Sequence, residues 1–311
     1  MMLKYIHIAS YMLCSSLLLV INKLSVEKND TFFVLALQLG FSSVFSLFLC
    51  YRHISFASFM QYYWVSNAFL ICLSTNMKVL QHSNVETFII FRNSTPIMIS
   101  ILEWVFLGRE FPNSKSFLIL FVIFLCSVTY SLTDSFFSVD GYMYVLIWYC
   151  AFCFDALFIK HQVDNIKVVD NWERVFYQNT WGCLTLLFKF FYDANSIKIQ
   201  MRRNNIITLS LSCVIAIGMS YFGLACRKML SATYFTLIGN MCKFLTILIN
   251  VSMWEKHASY IGLICLSVSL LIGYFYIQSP KRSEIQNESS IVDEANIDEA
   301  NIDEANNLLL K

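Results

Sequence analysis

Apolar runs about 20 residues long recur from Met2 to about residue 280, broken only by short polar stretches. No other feature constrains the fold as strongly. An α-helix rises 1.5 Å per residue, so it takes ~20 apolar residues to cross a hydrocarbon core ~30 Å thick. A membrane β-barrel would instead show short segments alternating apolar and polar residues. The run that starts at Phe117, FLILFVIFLCSV, is continuous. The chain therefore reads as all-α, a polytopic membrane protein with about ten transmembrane helices. The spans fall near 3–24, 31–51, 59–79, 84–107, 115–133, 140–160, 173–192, 206–227, 231–254 and 258–278. Composition agrees, with 57% hydrophobic and 14% charged residues. A soluble domain carries about 25% charged residues to dress its surface. The shortage argues against a soluble enzyme, a nucleic-acid binder and a secreted disulfide scaffold.

The first span starts beside Met1 and has no small-residue cleavage site after it, so it reads as a retained signal anchor. An even number of spans places both termini on one side, taken as cytosolic. Eleven basic residues near the spans then face the cytosol against eight on the other side, the sign the positive-inside rule requires. Residues 1–280 form one transmembrane domain, and residues 281–311 are different material. Three five-residue units, Val292–Asn296, Ile297–Asn301 and Ile302–Asn306, repeat there. The tail holds eight of the 21 acidic residues and three of the 22 basic ones. Low hydrophobicity with like charge predicts a disordered cytosolic tail. The net charge of +1 therefore hides a membrane domain with 19 basic and 13 acidic residues.

Enzyme signatures are absent: there is no HExxH, GxSxG or P-loop. Cys150 and Cys153 have the spacing of a metal or redox pair, but no second pair accompanies them in this apolar run, which makes them packing residues. The histidines fall near span ends without a shared face. Asn29-Asp-Thr31 is a glycosylation sequon in a loop too short for transferase access.

The chemistry lies in polar residues inside the apolar runs. Arg92 sits within the fourth span and Lys243 within the ninth. A cation at the bilayer centre costs roughly 2.5–3.5 kcal/mol on insertion scales and is kept where it faces a polar cavity. On one cavity the two would clamp a phosphate or carboxylate. As structural ion pairs they would instead use Glu86, Glu103 or Asp155. The seventh span holds Phe176-Tyr177-Gln178-Asn179. Its adjacent amides suit a purine edge, or else hydrogen bonds between helices. Tyr11 and Asn22-Lys23 on the first span carry little alone. The fourth and ninth spans each open with small polar residues, hold a central cation and end in Trp with charges. They occupy equivalent places in two halves of five, which predicts two inverted five-helix repeats.

These motifs, with Val85–Pro96, Thr133–Phe136, Phe158–His161, Asn165–Lys167, Arg227-Lys228, Ser231–Thr233, Ile249–Val251 and Trp254–His257, resemble one family. The chain resembles nucleotide-sugar transporters of the drug/metabolite transporter superfamily, in particular the GDP-sugar branch with its plant Golgi members. The likeness is best over about residues 84–279. It implies that the family's FYNN motif, here with Gln178 replacing one Asn, binds guanine through Tyr177, Gln178 and Asn179. It implies that the GALNK motif, here Gly239-Asn240-Met241-Cys242-Lys243, contacts ribose and diphosphate through Gly239, Asn240 and Lys243. Gly and Lys are kept; the middle three differ. Arg92 and Asn93 match a basic-Asn-x-Thr pattern whose cation is implied to be the second phosphate ligand. Tyr11 and Asn22 are implied to lie on the sugar side.

The implied activity is exchange of cytosolic GDP-fucose or GDP-mannose for lumenal GMP across the Golgi (or ER) membrane, with no cofactor. GDP-sugar, GMP and the lipid bilayer are the partners, no nucleic acid is involved, and a homodimer is left open. A sugar-phosphate/phosphate exchanger would need the cations but not the amides. A non-transporting polytopic protein would have no polar cavity at all.

Overall fold

The computed structural model describes residues 2–26, 30–82, 85–132, 142–192, 203–253 and 260–282. The side chains of Lys23, Glu86 and Lys243 lie outside the described residues, as do Asn29 of the sequon, Asp134, Asp140 and the acidic tail from residue 283 on. Each of the ten expected segments is an α-helix. They are α1 (Met2–Val26), α2 (Thr31–Cys50), α3 (Phe56–His82), α4 (Val85–Phe106) and α5 (Ser114–Leu132). Then follow α6 (Tyr142–Asn165), α7 (Asn171–Tyr192), α8 (Arg203–Met229), α9 (Ala232–Met253) and α10 (Tyr260–Tyr274). Among the described residues the chain is helical with no strand; the sole β-type contact is an isolated antiparallel bridge between Arg109 and Lys281.

Among the described residues, four stretches are long and apolar enough to cross a membrane: Met2–Asn22, Phe32–Cys50, Met143–Asn165 and Ile206–Met229. Of the other helices, α10 is apolar but only 15 residues long, and α4 and α7 carry polar side chains along their length. Arg92, Asn93, Ser94 and Thr95 follow one another on α4, and Glu173, Arg174, Gln178 and Asn179 share α7. A helix of mixed character like these is shielded from hydrocarbon by its neighbours.

Local chemistry fixes the helix ends. Asp30 caps α2, its Oδ1 accepting from the backbone N–H of Phe32 at 2.9 Å and Phe33 at 3.1 Å. Glu173, three residues past the α7 N-cap, reaches back to the N–H groups of Val169 and Asp170 at 3.2 Å each, the return half of a capping box. Gly108 ends α4 in the left-handed region, φ 61°, where a side chain would be strained.

The helices pack mainly across the sequence halves. α1 lies on α8 and α9, α2 on α7 and α8, α3 on α6 and α7, α4 on α5, α6 and α9, and α10 on α5 and α9. Where α1 meets α8, a Cβ on Gly218 would come within 3.0 Å of Cys14 Sγ, the small-residue contact that lets membrane helices approach closely.

One end of the bundle is tied by charge. Glu103 near the end of α4 accepts from the N–H groups of Ala232 (2.7 Å) and Thr233 (3.1 Å) and from Thr233 Oγ1 (2.6 Å). It thereby caps α9 at the positive end of its dipole. Arg109 pairs with Glu103 at 3.4 Å and donates to Ser279 O at 2.5 Å. Lys160 of α6 caps the last carbonyls of α8, Arg227 O at 2.8 Å and Lys228 O at 3.3 Å. Asp164 joins Lys160 (2.9 Å) to Lys281 (2.8 Å), which binds the segment after α10 to the same end.

Candidate functional site

Pro96 shapes the region around Arg92. A proline inside a helix has no N–H to offer the carbonyl four residues earlier. In α4 that carbonyl belongs to Arg92. It is taken up instead by Thr95 Oγ1 at 2.6 Å and by Asn240 Nδ2 of α9 at 3.4 Å. The Arg92-Asn-Ser-Thr-Pro96 sequence thus opens a backbone acceptor where α4 meets α9, and Asn240 uses it. The Arg92 guanidinium lies 5.3 Å from the centre of the Phe152 ring on α6. Arg92 is deep in the bundle and still only half-buried, as is Asn93 beside it.

Tyr11 of α1 stands against the same region. Its ring packs on Phe235 of α9 at 5.0 Å. A Cβ on Gly239 would sit 3.8 Å from the Tyr11 hydroxyl, so the glycine keeps the space before that hydroxyl clear. Arg227 of α8 lies 4.4 Å over the same Phe235 ring. Of the residues singled out in the sequence, Tyr11, Arg92, Gly239 and Asn240 therefore come together, on α1, α4 and α9. Lys243 is one helical turn beyond Gly239 on α9, with its side chain outside the described residues.

The α7 residues divide. Asn179 is buried and its Nδ2 has no hydrogen-bond partner among the described residues; the same holds for Gln178 Oε1. Both amides retain the hydrogen-bonding capacity a base would use. Tyr177 is fully buried in a cluster with Tyr62, Val65 and Val175, and its hydroxyl accepts from Ser55 N at 2.7 Å at the start of α3. That bond sets the position of α7 against α3. Asn22 accepts from Gln38 Nε2 of α2 at 2.7 Å. α8 packs against both α7, which carries the amides, and α1, which carries Tyr11, and so links the two groups.

Of the proposed ion-pair partners, Glu103 serves α9 and Arg109. Asp155 is buried on α6 with Oδ1 unbonded among the described residues. A lone acid within an apolar span signals function; the sequence showed it, but not the charged neighbours that frame it. Two large grooves lie elsewhere. One of ≈ 710 Å³ runs between α4 and α6, past Leu102, Phe106 and Phe154, and one of ≈ 750 Å³ runs past Leu37, Val44 and Leu187. Their apolar walls include side chains exposed on the outer surface, such as Phe106 and Val44, which suits acyl chains and not a charged solute. No group of His, Cys, Asp and Glu suited to a metal occurs among the described residues.

The chain is 34% identical over 291 residues to GDP-fucose transporter 1 of Arabidopsis thaliana, covering 88% of this chain and 85% of the relative. The chain belongs to the GDP-sugar transporter family. A second Arabidopsis thaliana relative of that family, the GDP-mannose transporter GONST3, is 31% identical over 87% of this chain and 77% of its own. The GDP-mannose transporter of Meyerozyma guilliermondii is 25% identical over 92% of the chain and 88% of its own length. No protein-family model matches. Among solved structures, the crystal structure of a protein overlays 87% of this chain and 94% of its own with a TM-score of 0.68. At 10% identity that likeness is one of fold.

Proposed function

We propose that this family member exchanges a cytosolic GDP-sugar, GDP-fucose or GDP-mannose, for lumenal GMP across the Golgi membrane. The observation that carries the reading is the joining of Tyr11, Arg92, Gly239 and Asn240 deep in the bundle, in a chain whose relatives are named GDP-fucose and GDP-mannose transporters. Both ligands share guanine, ribose and phosphate, so one set of amides and cations serves both. Asn179 and Gln178 are assigned to guanine, and Arg92 and Lys243 to phosphate. Tyr177 and Asn22 shape the site through their bonds to Ser55 and Gln38.

In this reading all ten helices cross the membrane, with both termini cytosolic and residues 281–311 as a cytosolic tail. Two inverted repeats of five are supported by the packing pairs. Exchanging α1–α5 for α6–α10 turns α1–α8 into α6–α3, α1–α9 into α6–α4, α2–α8 into α7–α3 and α4–α5 into α9–α10, all of which occur. The pairs α2–α7, α4–α9 and α5–α10 map onto themselves. Such symmetry suits a site that opens alternately to either side.

Purified protein in liposomes tests the proposal. GDP-fucose or GDP-mannose uptake is expected to rise with GMP inside, and uptake indifferent to internal GMP would sink the exchange. Asn179→Ala is expected to weaken guanine-nucleotide uptake by about tenfold, from the loss of buried base hydrogen bonds. Undiminished transport in that variant would mark a sugar-phosphate/phosphate exchanger.

A further inference from the structure

Asp155 is a buried charged group outside the proposed transport contacts. It is 3% exposed, and its Oδ1 has no hydrogen-bond partner among the described residues. A carboxylate left this way is expensive, because hydration is lost and not replaced. Arg227 is near enough for its charge to act on Asp155, without a direct ion pair between the two. The Arg227 guanidinium lies instead over Phe235, which in turn packs against Tyr11. On α6, Phe152, which lies under the Arg92 guanidinium, is one turn before Asp155, and Ala156, next to Asp155, lines the same small cleft as Arg227 and Phe235. One stretch of α6 thus brings Asp155 to the region where α4 carries Arg92 and α8 carries Arg227.

We propose that Asp155 is the resident counter-anion of this site and that Arg227 is a further phosphate ligand. The inference rests on the nucleotide-transport reading and deepens it. With the site empty, the carboxylate offsets part of the field of Arg227. When a nucleotide enters, its phosphate oxygens, which are acceptors of the same kind as the carboxylate's, take over the guanidiniums. The carboxylate also limits affinity, which an exchanger needs because each ligand must leave on the far side.

The test is GMP and guanosine binding to the detergent-purified full chain by calorimetry, together with GMP/GMP exchange in liposomes. Asp155→Asn removes a like charge near the phosphate, so GMP is expected to bind about tenfold more tightly and to exchange more slowly. Arg227→Gln is expected to weaken GMP binding about tenfold, and Arg227→Lys to recover most of it. Guanosine, which has no phosphate, is expected to bind both variants as it binds the wild type; a general packing defect would not spare it. Asp155→Asn binding GMP no more tightly than the wild type overturns the inference. If that variant does not fold, Arg227→Gln binding GMP at wild-type affinity overturns it instead. A wild-type protein that binds no GMP overturns the transport reading and this inference together.

Discussion

Arg92→Gln is expected to lower GMP-driven uptake of GDP-sugar by about thirtyfold or more, while the protein unfolds within a few degrees of the wild type. Glutamine keeps the length and hydrogen-bonding capacity of the inner part of the side chain and removes the charge. The bonds that hold this stretch of α4 use the Arg92 carbonyl, through Thr95 and Asn240, so they survive the change. What is lost is the charge-assisted contact to phosphate in a site withdrawn from bulk water. Truncating one partner of a buried charge pair costs ~2–5 kcal/mol, or about 30- to several thousandfold in affinity. Arg92→Lys separates charge from shape. Lysine retains the cation but has neither the flat face that lies over Phe152 nor the paired donors, and a loss of about tenfold is expected. The measurement is uptake into GMP-loaded liposomes, with thermal unfolding in detergent as the folding control. Arg92→Gln transporting at the wild-type rate would remove Arg92 from the site.

The contrast between carbonyl and side chain at position 92 shows where sequence reading ends. The helices were legible because apolar runs of helical length leave few alternatives, and each expected segment is helical. Crossing character is weaker in α4 and α7, where Arg92–Thr95 and Glu173–Asn179 dilute the hydropathy. Intramembrane cations and amides were legible as costly residues. Their partners were not, because the partner is often a backbone group far along the chain. Asn240 was expected to meet the nucleotide. It bonds a carbonyl 148 residues away, which is available because of a proline four residues beyond it. Tyr177 carries the family's motif, yet its hydroxyl closes on the start of α3. Glu103 was one of three candidate partners for the intramembrane cations, and nothing in its surroundings in sequence points to the N-terminus of α9.

Glu103 has the largest expected effect on stability. Its carboxylate accepts from two α9 backbone N–H groups and the Thr233 hydroxyl, and it neutralises Arg109, which is itself buried. Glu103→Ala leaves those donors without an acceptor at the positive end of α9 and leaves the Arg109 cation without its counter-charge. Breaking a buried pair from one side costs about 3–5 kcal/mol, and the unmet helix-end donors add to it. A lower unfolding temperature in detergent is expected, large enough to be seen without added ligand. Glu103→Gln retains an acceptor for one N–H and loses the charge, so about half the effect is expected. Arg109→Ala alone should cost less than Glu103→Ala, since it leaves the α9 cap in place. In the double variant the two losses should fall short of their sum, because the second residue has already lost its partner. The consequence extends to the site, since α9 carries Gly239, Asn240 and Lys243, and Asn240 meets α4 through a single bond at 3.4 Å. A loosened α9 is therefore expected to weaken GMP binding in Glu103→Ala, even though Glu103 lies about three helical turns along α4 from Arg92. Unfolding at the wild-type temperature would show that the carboxylate does not hold α9 in place.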